Sequence, residues 1–204
     1  MRKVTFGGAN SLDNYFARPD HAVDWLMWSD EAGEIMGDYW KTIDTMLMGR
    51  KTYEIARRMS KGKTNPYPGI TTYVFSRTLK DDDRGRVTIV ADDAAGFVRR
   101  LKSEPGKDIC LMGGGHFAKT LFEADLIDEI GFNIHPVLLG SGVPLFYTMD
   151  RQIDLERLEC RAFKNGCVYV KYRVRHSASG GPRQGTGDRD GGQGTADRGQ
   201  GTGD

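Results

Sequence analysis

Ile109-Cys110-Leu111-Met112-Gly113-Gly114-Gly115-His116-Phe117 is the stretch that decides the fold. Its four leading apolar residues have the length of a buried strand, the glycines follow without a spacer, and Phe117, Leu121 and Phe122 then return at helical spacing. A strand that runs through bare backbone into a helix is the joint of an α/β protein. Thr45 to Met48 shows the same form: the strand ends at Met48-Gly49-Arg50-Lys51-Thr52, and a helix follows from Arg50 to Arg58. A third strand, Thr71 to Phe75, is rich in β-branched and aromatic residues and ends at Phe75-Ser76-Arg77.

Working outward, a first strand is expected from Lys3 to Ala9 and another from Val87 to Val90. Ser29 is a good N-cap, with Asp30 and Glu31 in the positive first turn, and Ile35, Met36, Tyr39, Trp40 and Ile43 form an apolar helical stripe behind it. Asp92 or Asp93 caps a further helix that carries Phe97, Val98 and Leu101 on one face. Near the end the pattern changes. Leu155 to Phe163 and Cys167 to Val174 flank Lys164-Asn165-Gly166, a hairpin signal because Asn and Gly tolerate positive φ. The expected fold is therefore α/β, a mixed, mostly parallel sheet flanked by helices and closed by an antiparallel hairpin.

The chemistry concentrates at the strand-to-helix joints. At Gly113, Gly114 and Gly115 a ligand can approach the backbone, and the free N–H groups at a helix start favour a pyrophosphate; a plain turn is the alternative reading. Gly113 to Ala118 formally satisfies the dinucleotide fingerprint of a Rossmann fold, but no acidic ribose partner stands about twenty residues on. At the second joint Arg50 offers a planar fork, Lys51 a point charge, and Thr52 a hydroxyl that can bind phosphate or cap its helix. In open α/β sheets ligands lie at the carboxyl ends of strands. Two phosphate-friendly joints plus Ser76 and Arg77 point to one dinucleotide, and the surplus of cations favours the 2′-phosphate of NADPH over NADH.

Leu47 to Glu54, Tyr73 to Arg77, Leu111 to Gly115 and Pro136 to Phe146 together resemble the dihydrofolate reductase family, in particular its branch that contains the RibD C-terminal reductase domain of riboflavin biosynthesis. The resemblance spans about residues 2 to 174. It implies a dihydrofolate-reductase-like fold in which Gly49, Arg50, Lys51 and Thr52 hold the cofactor phosphates and Ser76 and Arg77 meet the ribose phosphate. Gly113, Gly114 and Gly115 would pass beside the pyrophosphate, and Ala9 would lie against the nicotinamide. The implied reaction is hydride transfer to a C=N or C=O group of a pyrimidine- or pterin-like heterocycle, and a homodimer is the implied assembly. Where that branch reads Ser-Leu-Asp-Gly, this chain has Ser11-Leu12-Asp13-Asn14, and Asn can take the left-handed turn in place of Gly. Asp13 is a candidate for substrate binding or proton donation, or else a turn former; Asp24 is the other candidate donor. Trp25 and Trp28 could stack on a flat substrate, with Trp25 the residue expected in the pocket and Trp40 expected in the core.

Composition narrows the field. The formal charge is +1 with no long basic run, so neither nucleic acid nor an anionic membrane is an expected partner. No apolar run has bilayer length and no signal sequence is evident, so a cytoplasmic protein is expected. Cys110, Cys160 and Cys167 suit reduced, buried thiols, and four scattered histidines supply no metal cage. The bifunctional riboflavin enzyme carries a deaminase with His-x-Glu and Pro-Cys-x-x-Cys, and neither motif occurs here. One domain is expected over residues 1 to 176; from Ser177 to Asp204, Gln-Gly-Thr units recur with nothing large to bury, so a disordered tail is expected. A non-catalytic NADPH-binding protein and a purely structural subunit are the rival readings.

Overall fold

The computed structural model describes residues 1–59, 69–79 and 87–176; the expected tail, residues 177–204, lies outside them. The strands are β1 (Val4–Ser11), β2 (Tyr15–Ala17), β3 (Ile43–Gly49), β4 (Thr71–Phe75), β5 (Thr88–Val90), β6 (Asp108–Leu111), β7 (Glu129–His135), β8 (Val143–Pro144), β9 (Leu155–Ala162) and β10 (Val168–Val174). The helices are α1 (Asp30–Thr42), α2 (Arg50–Met59), α3 (Ala94–Ser103) and α4 (Gly115–Glu123). Eight strands form one sheet in the order β5-β4-β3-β6-β1-β7-β10-β9. From β5 to β7 neighbours run parallel, and β10 is antiparallel to both β7 and β9. The sheet is thus mixed and mostly parallel, closed by an antiparallel hairpin. Strands β2 and β8 make a small separate pair. No helix among the described residues is long and apolar enough to cross a membrane.

Alternation along the strands assigns the two faces. Val4 and Phe6 of β1, Ile109 and Leu111 of β6 and Ile130 and Phe132 of β7 bury against Val98, Leu101, Leu121 and Phe122 of α3 and α4. Phe6 is the hub, with edge-on rings of Phe16, Phe122, Phe132 and Phe146 at centroid distances of 5.8, 6.0, 5.3 and 6.1 Å. The opposite face holds a smaller cluster of Met46, Met48, Tyr53 and Val74. At the amino ends of the strands, ion pairs fasten the sheet: Lys102 Nζ donates to the Leu126 carbonyl at 3.1 Å and to Asp128 Oδ2 at 2.5 Å, and Arg2 pairs with Asp44.

Several expectations are refined. Ser29 caps α1 by accepting from the Ala32 amide, and Asp93 caps α3 by accepting from Gly96. Ile43, however, begins β3, and no residue of α1 is fully buried; of its apolar stripe Trp40 packs against the cluster of Met46, Met48, Tyr53 and Val74, and the rest faces a cavity. Only Gly166 of the Asn-Gly pair has positive φ (+87°), giving a turn in which its amide donates to the Phe163 carbonyl at 3.0 Å. Cys110 and Cys167 are buried, but Cys160 is exposed because it lies on the edge strand β9. Strand β7 is absent from the sequence reading, although its even-numbered residues Ile130, Phe132 and Ile134 alternate with less apolar ones.

Candidate active site

Strands β4, β3, β6 and β1 lie side by side and parallel, so Phe75, Gly49, Leu111 and Ser11 end at the same edge. At that edge the two glycine joints touch. A Cβ added to Gly114 would stand 3.4 Å from the Gly49 nitrogen and 3.5 Å from its Cα, and one on Gly113 would stand 3.4 Å from Thr52 Oγ1. Gly114 is the N-cap of α4 at φ +93°, a conformation that only glycine adopts without strain. Gly115 is closed in by Tyr147, whose ring a Cβ there would approach to 2.4 Å. The first turns of α2 and α4 therefore bring amides without helical partners towards the same edge. Arg50 and Lys51 are exposed beside them, Arg50 only loosely held by Glu54 at 3.8 Å. Ser76 Oγ accepts from the Thr78 and Leu79 amides at 3.2 and 2.9 Å, and Arg77 is exposed. The structure thus packs Gly49, Thr52, Gly113 and Gly114 against one another and sets Ser76 and Arg77 on the adjacent strand end.

Next to this edge, between α1 and the sheet, is a cavity of about 270 Å³. Its floor alternates with the core: Thr5, Gly7 and Ala9 of β1, Cys110 of β6, Gly131, Asn133 and His135 of β7, and Tyr169 and Lys171 of β10. Gly7 lies opposite Gly131 in the sheet, and both must be small. A Cβ on Gly7 would reach the Gly131 oxygen at 2.5 Å, and one on Gly131 would crowd the Tyr169 hydroxyl at 3.1 Å. The roof is Met27, Trp28, Ile35, Met36, Tyr39 and Trp40, so the apolar stripe of α1 covers the cavity.

His135, 1% exposed, organises the inner end. The Met27 amide donates to its Nδ1 at 3.2 Å. The Asn133 side-chain nitrogen, Nδ2, stands 3.3 Å from Nε2. The Asn133 oxygen, Oδ1, is buried and without a partner in the protein. Desolvation holds His135 below its ordinary value of 6.5, so the folded state keeps the ring neutral while the unfolded chain protonates it. A depressed folded value means that this contribution to stability is present above about pH 6.5 and is lost as pH falls below it. Thermal melts from about pH 7.5 to about pH 5.5, spanning the ordinary histidine range, are expected to show a falling Tm, with His135→Gln removing part of that slope relative to wild type. An unchanged slope in the variant would detach the effect from His135.

The expected proton donors stand outside the cavity. Asp13 accepts from the Ser11 hydroxyl at 2.5 Å and from the Leu139 and Gly140 amides at 3.1 and 2.7 Å, fastening its own turn to a later loop. Those bonds, the Ser11 hydroxyl first, hold its carboxyl below the usual range. Asn14 beside it takes the left-handed conformation at φ +64°. Asp24 is exposed and bonded to Arg18 at 2.7 Å, which likewise lowers it. Both are set up to stay ionised rather than to donate. Trp25 is not a lining residue: it packs edge-on behind His135, at a centroid distance of 5.2 Å; Trp28 lines the cavity, and Trp40 both lines it and packs, as expected, against a core cluster. Asn133 and His135 escape the sequence reading because β7 does; its alternation of Ile130, Phe132 and Ile134 was the available signal.

Comparison with known proteins bears on the family and the fold. The family model described as the RibD C-terminal domain matches residues 2–169. The uncharacterized protein YwjB of Bacillus subtilis (strain 168) is 34% identical over 155 residues, covering 76% of this chain and 88% of that protein. A crystal structure from Shewanella sp. PV-4, provisionally named a riboflavin biosynthesis protein, superposes with a TM-score of 0.74 at 24% identity, covering 86% of this chain and 100% of that one. Dihydrofolate reductase from Enterococcus faecalis, complexed with NADP(H), gives a TM-score of 0.61 at 17% identity over 85% of this chain and 97% of that one. The two structures share the dihydrofolate-reductase-like fold. On the match of the family model over residues 2–169, this chain belongs to the RibD C-terminal domain family.

Proposed function

We propose that this protein is an NADPH-dependent reductase that adds hydride to a C=N or C=O group of a small ring compound. The observation that supports it most is the contact between the glycine joints of β3 and β6, beside a cavity whose floor continues along β1 to Ala9. The residues fit the cofactor: Gly113 and Gly114 leave open a cradle that a Cβ would fill, and the exposed cations Arg50, Lys51 and Arg77 stand around it. In this reading Gly49, Arg50, Lys51 and Thr52 hold phosphates, Ser76 and Arg77 meet the ribose phosphate, Gly113 to Gly115 pass the pyrophosphate, and Ala9 faces the nicotinamide. When bound, NADPH supplies the hydride. The protein supplies alignment and excludes water, and the balancing proton comes from solvent, since Asp13 and Asp24 are occupied elsewhere.

Titration with NADPH and NADH, followed by energy transfer from tryptophan to the reduced nicotinamide, tests the assignment. Binding of NADPH on the order of micromolar, weaker for NADH and at least about tenfold weaker in Arg50→Ala, is the expected result. No binding of either dinucleotide would withdraw the reductase reading. NADPH binding with no oxidation by any acceptor would leave the non-catalytic alternative. The proposed homodimer is checked by sedimentation, where a single-chain mass at every concentration would remove it.

A further inference from the structure

The cavity wall carries a chemistry that differs from what the resemblance implies for substrates. Among the described residues lining it there is no aspartate, glutamate or arginine. The acids of α1, namely Asp30, Glu31, Glu34 and Asp38, belong to other faces, while Ile35, Met36, Tyr39 and Trp40 meet the cavity. A 2-aminopyrimidine edge presents two adjacent donors and needs a carboxylate to accept them; none is offered. A phosphorylated sugar needs unpaired cations. The one cation in the wall, Lys171, is bound to buried Glu129 at 2.7 Å.

What the wall offers instead is apolar surface and hydrogen-bond donors. Burial raises the phenols of Tyr39 and Tyr169, the latter to about 12, so both keep their protons. The Tyr39 hydroxyl is buried without a partner in the protein, a condition that costs stability until an acceptor arrives. Helix α1 has no fully buried residue; Trp40 packs against the cluster of Met46, Met48, Tyr53 and Val74, while Ile35 and Met36 on its inner face are only partly covered. A flat apolar ligand would cover that face.

We infer that the cavity takes an uncharged, planar, largely apolar ring compound with a carbonyl-type acceptor, and rejects both 2-aminopterins and phosphorylated pyrimidines. This rests on the reading of the cavity as the substrate site. Calorimetric titration of the full chain, with and without NADP⁺, against coumarin, pterin and uridine monophosphate tests it. Coumarin is expected to bind at least about tenfold more tightly than either other probe. Ile35→Asp, which sets a carboxylate on the half-buried inner face of α1, is expected to weaken coumarin and to favour pterin. Tighter binding of pterin or the nucleotide to wild type, or no binding of coumarin, overturns the inference. An NADP(H) site present without coumarin binding sinks this inference alone, whereas coumarin binding without any dinucleotide site sinks the reductase reading and leaves the cavity's preference standing.

Discussion

Gly114→Ala is expected to abolish dinucleotide binding in the micromolar range, a loss of at least about a hundredfold, while the protein still folds. The residue holds φ +93° at the N-cap of α4, where an L side chain costs on the order of 1–3 kcal/mol of backbone strain. Its new Cβ would lie in van der Waals contact with the Gly49 nitrogen and Cα at 3.4 and 3.5 Å, filling the gap between the two joints proposed to hold the phosphates, and relief of the φ strain would shift the α4 amides there. Helix α4 itself is anchored by Ala118, Leu121 and Phe122 in the main core, so the damage should remain local. Far-ultraviolet circular dichroism close to wild type, with the NADPH titration gone flat, is the expected pair of observations. Wild-type affinity in the variant would mean that this edge does not carry the cofactor.

Phe6→Ala should cause a large loss of stability, about 3–5 kcal/mol, with Tm lower by roughly 10 °C. Phe6 is fully buried and its ring is the meeting point of four other aromatic rings, so truncation removes both apolar burial and edge-to-face contacts, leaving a void among Phe16, Phe122, Phe132 and Phe146. Urea unfolding measures the change directly. A cost under about 1 kcal/mol would mean that the aromatic cluster collapses into the gap, and that packing around β1 is looser than the ring geometry implies. Because Phe6 points away from Thr5 and Gly7, the cavity on the opposite face should be less affected than the stability.

The strands and helices that carry the glycine joints were legible because their signals are local. Four consecutive apolar residues before Gly113, a Ser29 hydroxyl before an acidic turn, and Asn165-Gly166 between two β-rich runs each state their conformation within a few residues. The cavity was not legible to the same degree. Its walls come from β1, β6, β7, β10, α1 and the segment before α1, and their meeting depends on strand order, which periodicity along one element does not encode. The apolar stripe of α1 illustrates the difference: helical spacing identified the face, but nothing in it distinguishes a face packed into a core from one that roofs a cavity. Asp13 shows the converse, since its place in a turn was among the readings, while its bonds to Leu139 and Gly140 span more than a hundred residues.

The sequence by itself therefore determined the α/β class, the three chemically distinctive strand ends and the resemblance that the family match bears out, because each depends on short-range sterics and on residue types at fixed spacing. Only the tertiary structure decided that Gly49 and Gly114 touch, that His135 and Asn133 form the inner end of a cavity, and that Asp13, Asp24 and Trp25 stand outside it. Those facts follow from which strands pair and which faces are covered, and that choice is made by burial summed over the whole chain rather than by any one segment.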